Sequence, residues 1–119
     1  MLKLISIKLS NKIVKLNVRK MNSFNKFIGL MFRTKDTKNL LFEFEKDTRI
    51  AIHSFFVFFS FLIIWLDKKN NIMDYKIVRP FCFGIRPLRS FRKIIEIPFN
   101  EKNKKIISIF DKLYSSLSS

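Results

Sequence analysis

The stretch Ile50–Leu66, IAIHSFFVFFSFLIIWL, runs for 17 residues without Lys, Arg, Asp or Glu, and it narrows the possible folds more than any other part of the chain. That length reaches the lower limit for a transmembrane helix. Its composition argues for strands instead, being rich in Phe with β-branched Ile and Val but holding two Leu and one Ala. His53, Ser54 and Ser60 interrupt the apolar run. The flanks also give a span no orientation. Residues 1–49 carry 12 basic and 4 acidic side chains, net +8, and residues 67–119 carry 12 and 5, net +7, so neither side is marked as the inner one. The stretch is therefore expected to form two adjacent buried strands, Ile50–Phe59 and Phe61–Leu66, bent near Ser60.

The flanking segments carry the same period. Leu2, Leu4, Ile5, Ile7 and Leu9 read as one strand and Ile13, Val14, Leu16 and Val18 as a second, with Asn11-Lys12 as the turn. LLFEFEKD alternates Phe42 and Phe44 with Glu43 and Glu45, a strand with one wet face. IMDYKIVRPF follows the turn-like DKKNN, GIRPLRSF is an irregular connector, and RKIIEIP is a late strand closed by Pro98. Two helical turns interrupt this pattern. Phe24, Phe27, Ile28 and Met31 fall on one helical face, as do Ile106, Phe110 and Leu113.

A chain of 119 residues supports one core. The expected fold is mainly β: a single antiparallel β-sandwich or distorted barrel, jelly-roll-like, with one or two short helices. The domain is expected over residues 1–114, followed by a frayed tail, SSLSS, at 115–119.

The formal charge of +15 suggests a polyanionic partner. A second cause is visible in the same composition. The chain holds 17 Lys, 17 Ile, 15 Phe and 9 Asn against one Ala and two Gly, the pattern that A/T-rich codons produce. Lys at positions 3, 8, 12 and 15 breaks up the N-terminus, which leaves no secretory apolar core, so the cytoplasm is the expected compartment. Cys82 is the single cysteine, unable to form an internal disulfide and placed between two Phe as a small buried hydrophobe would be.

GLMFR (Gly29–Arg33), LLFEF (Leu40–Phe44), IHSFFVFF (Ile52–Phe59), Leu66-Asp67 and KIIEIP (Lys93–Pro98) occur in an order and spacing that resembles the family called domain of unknown function 192. The resemblance is strongest to its archaeal branch and covers about Val18 to Leu113. It implies a compact, mainly β fold of one domain, without an assigned chemistry. The chain departs from the family pattern where Ser60-Phe61-Leu62 replaces Pro-Ile-Asp and where Arg79-Pro80-Phe81 replaces Lys-Pro-Trp. Near the end, glycine-containing positions of the family become Phe99-Asn100 and Phe110-Asp111. A function built on the family's Asp would be lacking here.

Few residues suit catalysis. One His, one Cys and scattered carboxylates make no metal set and no acid–base pair of known spacing, and there is no glycine-rich phosphate loop. No cofactor is expected. The leading expectation is a non-enzymatic binding module for a small-molecule or protein ligand, with Arg33, His53 and Asp67 lining an open end of the β fold. Each has a structural role to set beside that one. Arg33 suits a helix C-terminus or a pair with Asp36 or Glu43, His53 a hydrogen-bonded strand position, and Asp67 the start of a turn. The alternative is a nucleic-acid binder using Arg79, Arg86, Arg89, Arg92 and Lys93, which are interleaved with Phe81, Phe83 and Phe91. Buried Phe alternating with solvated Arg in a β domain would produce the same string.

Overall fold

The computed structural model describes residues 2–21, 30, 33–54 and 56–118, with side chains as far as residue 112. The alternation at the start of the chain becomes a hairpin of β1 (Leu2–Leu9) and β2 (Lys12–Lys20), in register from Leu2↔Arg19 to Leu9↔Lys12. Its turn is Ser10-Asn11, with Ser10 at φ 54°, the left-handed geometry that matches strand twist in two-residue hairpin loops. Ile5, Ile7, Leu16 and Val18 are buried, while Lys8, Lys15, Asn17 and Arg19 are exposed.

Four further strands follow: β3 (Leu40–Thr48), β4 (Phe61–Leu66), β5 (Ile72–Val78) and β6 (Phe91–Pro98). They build one six-stranded sheet in the order β1-β2-β3-β6-β4-β5. The neighbours β3–β6, β6–β4 and β4–β5 are antiparallel, but β2 and β3 pair in parallel, through Arg19↔Leu40 and Lys20↔Leu41. The sheet is therefore mixed rather than wholly antiparallel. A backbone bond from Lys8 N to Asn70 O, 2.9 Å, brings β1 to the β4–β5 turn and curls the sheet into a half-barrel. The mainly β expectation holds in this form, one curled sheet and not two packed ones.

All six residues of β4 are buried, as a strand covered on both faces requires. Ile5, Ile7, Leu16, Val18, Leu41, Leu62, Ile64, Leu66, Ile95 and Ile97 form the inner core with Phe110. Phe110 belongs to α1 (Lys104–Ser118), entered through a 3-10 turn at Glu101–Asn103 and longer than the short closing helix expected. The helix also takes in 115–118, which composition reads as a loose tail. Leu40, Phe42, Phe61, Ile63, Trp65, Val78, Phe91 and Ile94 form the outer core, which Met21, Leu30 and Val57 cover.

A further expectation fails. Ile50–Phe59 does not form the expected core strand; among its described residues an isolated bridge, Ile52↔Ile85, is the only strand pairing. Phe56 and Phe58 are exposed there, and Phe56 has φ 61°, which breaks the alternation a strand needs. The helical turn expected around Phe24–Met31 lies outside the described residues, apart from Leu30.

Candidate functional site

The outer face carries two loops that lie against each other, residues 49–60 and the connector 79–90. Ser54, fully buried, joins them. Its hydroxyl donates to Arg79 O at 2.7 Å and accepts from Cys82 N at 2.6 Å, while its backbone N donates to Cys82 O at 2.7 Å and its carbonyl accepts from Phe81 N at 3.0 Å. Ile52 and Ile85 exchange backbone bonds of 2.8 and 3.0 Å beside this clamp. The connector is held from below as well. Arg49 Nε donates to Pro87 O at 3.0 Å, Lys76 Nζ to Arg86 O at 2.8 Å, and Leu88 N to the Asp74 carboxylate at 3.2 Å.

These bonds hold an aromatic surface in place. Phe58, Phe81 and Phe83 are 64, 53 and 76% exposed, and Leu88 is 82% exposed. Phe58 and Phe81 meet edge to face at 5.6 Å between ring centres. Phe56 and Phe81 both hold φ 61°, a conformation that costs a non-glycine residue about 1 kcal/mol or more. Strain of this kind persists where the surroundings over-determine it, and the Ser54 clamp does so here. Arg79, Arg86 and Arg89 are exposed on the same connector. Arg92 and Lys93, named with them on sequence, are half-buried and engaged, Arg92 with Asp47 at 3.0 Å and Lys93 with Asn70 Oδ1 at 2.7 Å.

Arg33 is half-buried on the outer side, in the segment leading to β3. Glu43, one of its expected partners, pairs instead with Lys3 and Lys20 at 3.5 and 3.8 Å. Arg33 is near enough for its charge to act on Glu96, which sits mid-strand in β6 between Leu40 and Ile63. Glu96 is the one buried charged side chain among the described residues, at 6% exposure. Burial pushes its carboxyl up to about 7, and the Arg33 guanidinium pulls the other way without cancelling that rise. The sequence reading missed Glu96. Its signal was there: a lone carboxylate in IIEIP, inside a run that reads as buried on both faces.

His53 is exposed on the 49–60 loop, one residue before the clamp. Asp67 is elsewhere. It follows the far end of β4, about 17 Å of strand from Phe61, where the loops lie. Its carboxylate accepts from Lys69 N at 2.8 Å, Asn71 N at 2.9 Å and Asn71 Nδ2 at 2.9 Å. Burial raises its pKa, but these hydrogen bonds, with the Lys69 charge, outweigh burial and hold it below the usual carboxylate range. The fold thus places Arg33 and His53 on the outer face and Asp67 in a turn. Cys82 is half-buried against the outer core. Among the described residues no cluster of three His, Cys, Asp or Glu could hold a metal ion, and no helix is long and apolar enough to cross a membrane.

Comparison with known proteins fits this architecture. The model of domain of unknown function 192, described as "Uncharacterized ACR", matches residues 5–114, and the chain belongs to that family. A UPF0127 protein of Thermococcus sibiricus is 35% identical over 77 residues, 63% of this chain, and the match spans 49% of that protein's length. The crystal structure of a protein of unknown function from Novosphingobium aromaticivorans superposes with a TM-score of 0.71 at 14% identity, covering 87% of this chain and 77% of that one. A Sinorhizobium meliloti structure named a "putative transcription regulator" gives 0.71 at 14% identity, covering 88 and 84%. At that identity the two structures share the fold alone.

Proposed function

We propose that this family member is a non-enzymatic binding module whose site is the aromatic surface of the outer loops, and that its ligand is single-stranded nucleic acid. The observation that carries this reading is the joining of three exposed rings, Phe58, Phe81 and Phe83, with three exposed guanidinium groups, Arg79, Arg86 and Arg89, on two clamped loops. Exposed rings offer stacking faces to unpaired bases, and arginines between them neutralise phosphates. The formal charge of +15 favours a polyanion over a neutral partner. The name of the Sinorhizobium structure points the same way, though it speaks of that protein.

Fluorescence anisotropy with a labelled oligo(dT) or oligo(U) tests the reading. Affinity is expected to fall with salt, each phosphate contact adding about −0.7 to the log–log slope. Replacing Arg79, Arg86 or Arg89 with Ala lowers that slope. Phe81→Ala or Phe83→Ala keeps the slope and weakens binding by about 1–3 kcal/mol. Binding to anionic vesicles with no oligonucleotide complex at low salt overturns the reading, and so does duplex DNA bound as tightly as single strands with the Phe variants unchanged.

A further inference from the structure

β1 is an edge strand of the six-stranded sheet. Lys8 N donates to Asn70 O rather than to β2, so the Lys8 backbone points to the open side of β1. Backbone direction alternates along a strand, which turns the N–H and C=O groups of Leu4 and Ser6 to that same side. Among the described residues, the open side meets the rest of the sheet only at Lys8, through this bond and the Lys8↔Asn71 bridge. We propose that the edge over residues 2–6 is a further binding site, which adds an extended acidic segment of another protein as a seventh strand.

Charge selects the partner. Residues 2–20 hold Lys3, Lys8, Lys12, Lys15, Arg19 and Lys20 but no Asp or Glu, and all six cations are exposed. Glu43 on β3 pairs with Lys3 and Lys20, while among the described residues the other four enter no ion pair. A second copy of this chain pairing edge to edge would set two such hairpins together, and like charges across a strand pair are destabilising. Lysines on an edge strand discourage that kind of self-pairing. The same charges attract an acidic strand. β5, the opposite edge strand, carries both Asp74 and Lys76 and has no such single sign.

Side chains add apolar contact to the backbone pairing. Leu2, Leu4, Ser6 and Lys8 share the face of β1 opposite buried Ile5 and Ile7. Leu2 and Leu4 are 47 and 61% exposed there. Residues directly opposite on neighbouring strands lie about 4.5–5.5 Å apart, so a strand added beside β1 places its own side chains on Leu2 and Leu4. In strand addition the main-chain bonds supply affinity and the alternate side chains supply selectivity. The partner is therefore apolar opposite Leu2 and Leu4, and acidic opposite Lys3 and diagonal to Lys8. The site uses no residue of the loops 49–60 and 79–90, so it stands apart from the nucleic-acid reading.

Fluorescence anisotropy of the full chain with a labelled, end-blocked peptide, Glu-Val-Val-Glu-Val-Glu, tests the proposal. Running antiparallel to β1 from Ser6, this peptide sets Val opposite Leu2 and Leu4 and Glu opposite Lys3. It is expected to half-saturate below about 1 mM. N-methylation of its first and third residues, which removes the donors facing Ser6 and Leu4, is expected to weaken binding by at least about tenfold. Ser6→Pro, which removes only a donor on the open side, is expected to do the same, and Lys3→Ala with Lys8→Ala to weaken binding by about threefold or more. The triple variant Arg79→Ala, Arg86→Ala, Arg89→Ala is expected to leave peptide affinity unchanged, which separates this edge from the outer loops. The methylated peptide needs no change to the protein, so it decides the matter even if Ser6→Pro does not fold. A methylated peptide, or one with Lys in place of every Glu, bound as tightly as the parent overturns the proposal. No binding at about 1 mM peptide overturns it too, as does binding to anionic phospholipid vesicles with none to the peptide.

Discussion

Glu96 shows how much one residue can set. The strand KIIEIP places it among isoleucines, and the sheet gives it Leu40 and Ile63 as lateral neighbours, so its charge is poorly solvated. Its pKa is raised from an ordinary 4.5 to about 7, so the folded chain holds this proton more tightly than the unfolded chain does. The contribution of Glu96 to stability is then fullest below pH 4.5 and is lost progressively as pH rises toward 7, by an amount on the order of 3 kcal/mol. Urea denaturation between pH 5 and pH 8 is expected to show that decline. Glu96→Gln is expected to flatten it and to be more stable than the parent at pH 8. A profile equally steep in the variant would place the titration on another group. Arg33 limits the effect by favouring the ionised carboxylate, so Arg33→Met is expected to move the midpoint of the decline to higher pH.

At the scale of elements, the loops gain their shape from bonds that no local propensity encodes. Ser54 makes its hydroxyl bonds to residues 25 and 28 positions away, so the clamp exists only after the sheet has brought β4 and β5 together. Ser54→Ala leaves the half-buried Cys82 N–H without its 2.6 Å partner and is expected to cost about 1–3 kcal/mol in a urea titration. The same variant is expected to weaken oligonucleotide binding by loosening the rings. Unchanged affinity would mean that Phe58, Phe81 and Phe83 do not need the clamp. The β4–β5 turn is the contrasting case. DKKNN folds locally, since Asp67 caps its own loop through Lys69 and Asn71, and its turn character was plain in the sequence.

At the scale of the molecule, the half-barrel divides its surface into two sides with different chemistry. The outer side carries rings and guanidinium groups on the clamped loops, and the inner side carries α1. The inner core depends on Phe110, which is 1% exposed and meets Tyr75 edge to face at 4.9 Å. Phe110→Ala is expected to cost about 3–5 kcal/mol, read by thermal or urea unfolding. A loss below about 1 kcal/mol would mean that the helix does not seal the sheet.

Strand identity was legible wherever alternation or a doubly buried run was local. The β1–β2 hairpin, β3 and β5 lie where alternation placed them, and β4 and β6 where short apolar runs did, because both patterns are set by neighbouring residues. The Phe-rich half of Ile50–Leu66 was not legible. Hydrophobicity announces burial only when there is core to fill, and β4 and β6 already filled it, leaving Phe56 and Phe58 on the surface. The candidate site followed the same division. Exposed Arg79, Arg86 and Arg89 could be named from a basic, aromatic connector, whereas Glu96 near Arg33 and the clamp at Ser54 could not, since each joins residues far apart in the chain. The sequence by itself determined the family, the mainly β class and the strands, all consequences of short-range pattern. The tertiary structure decided the parallel β2–β3 pair, the curl that makes a half-barrel, and which apolar residues remained outside, because those depend on competition between distant segments for one limited core.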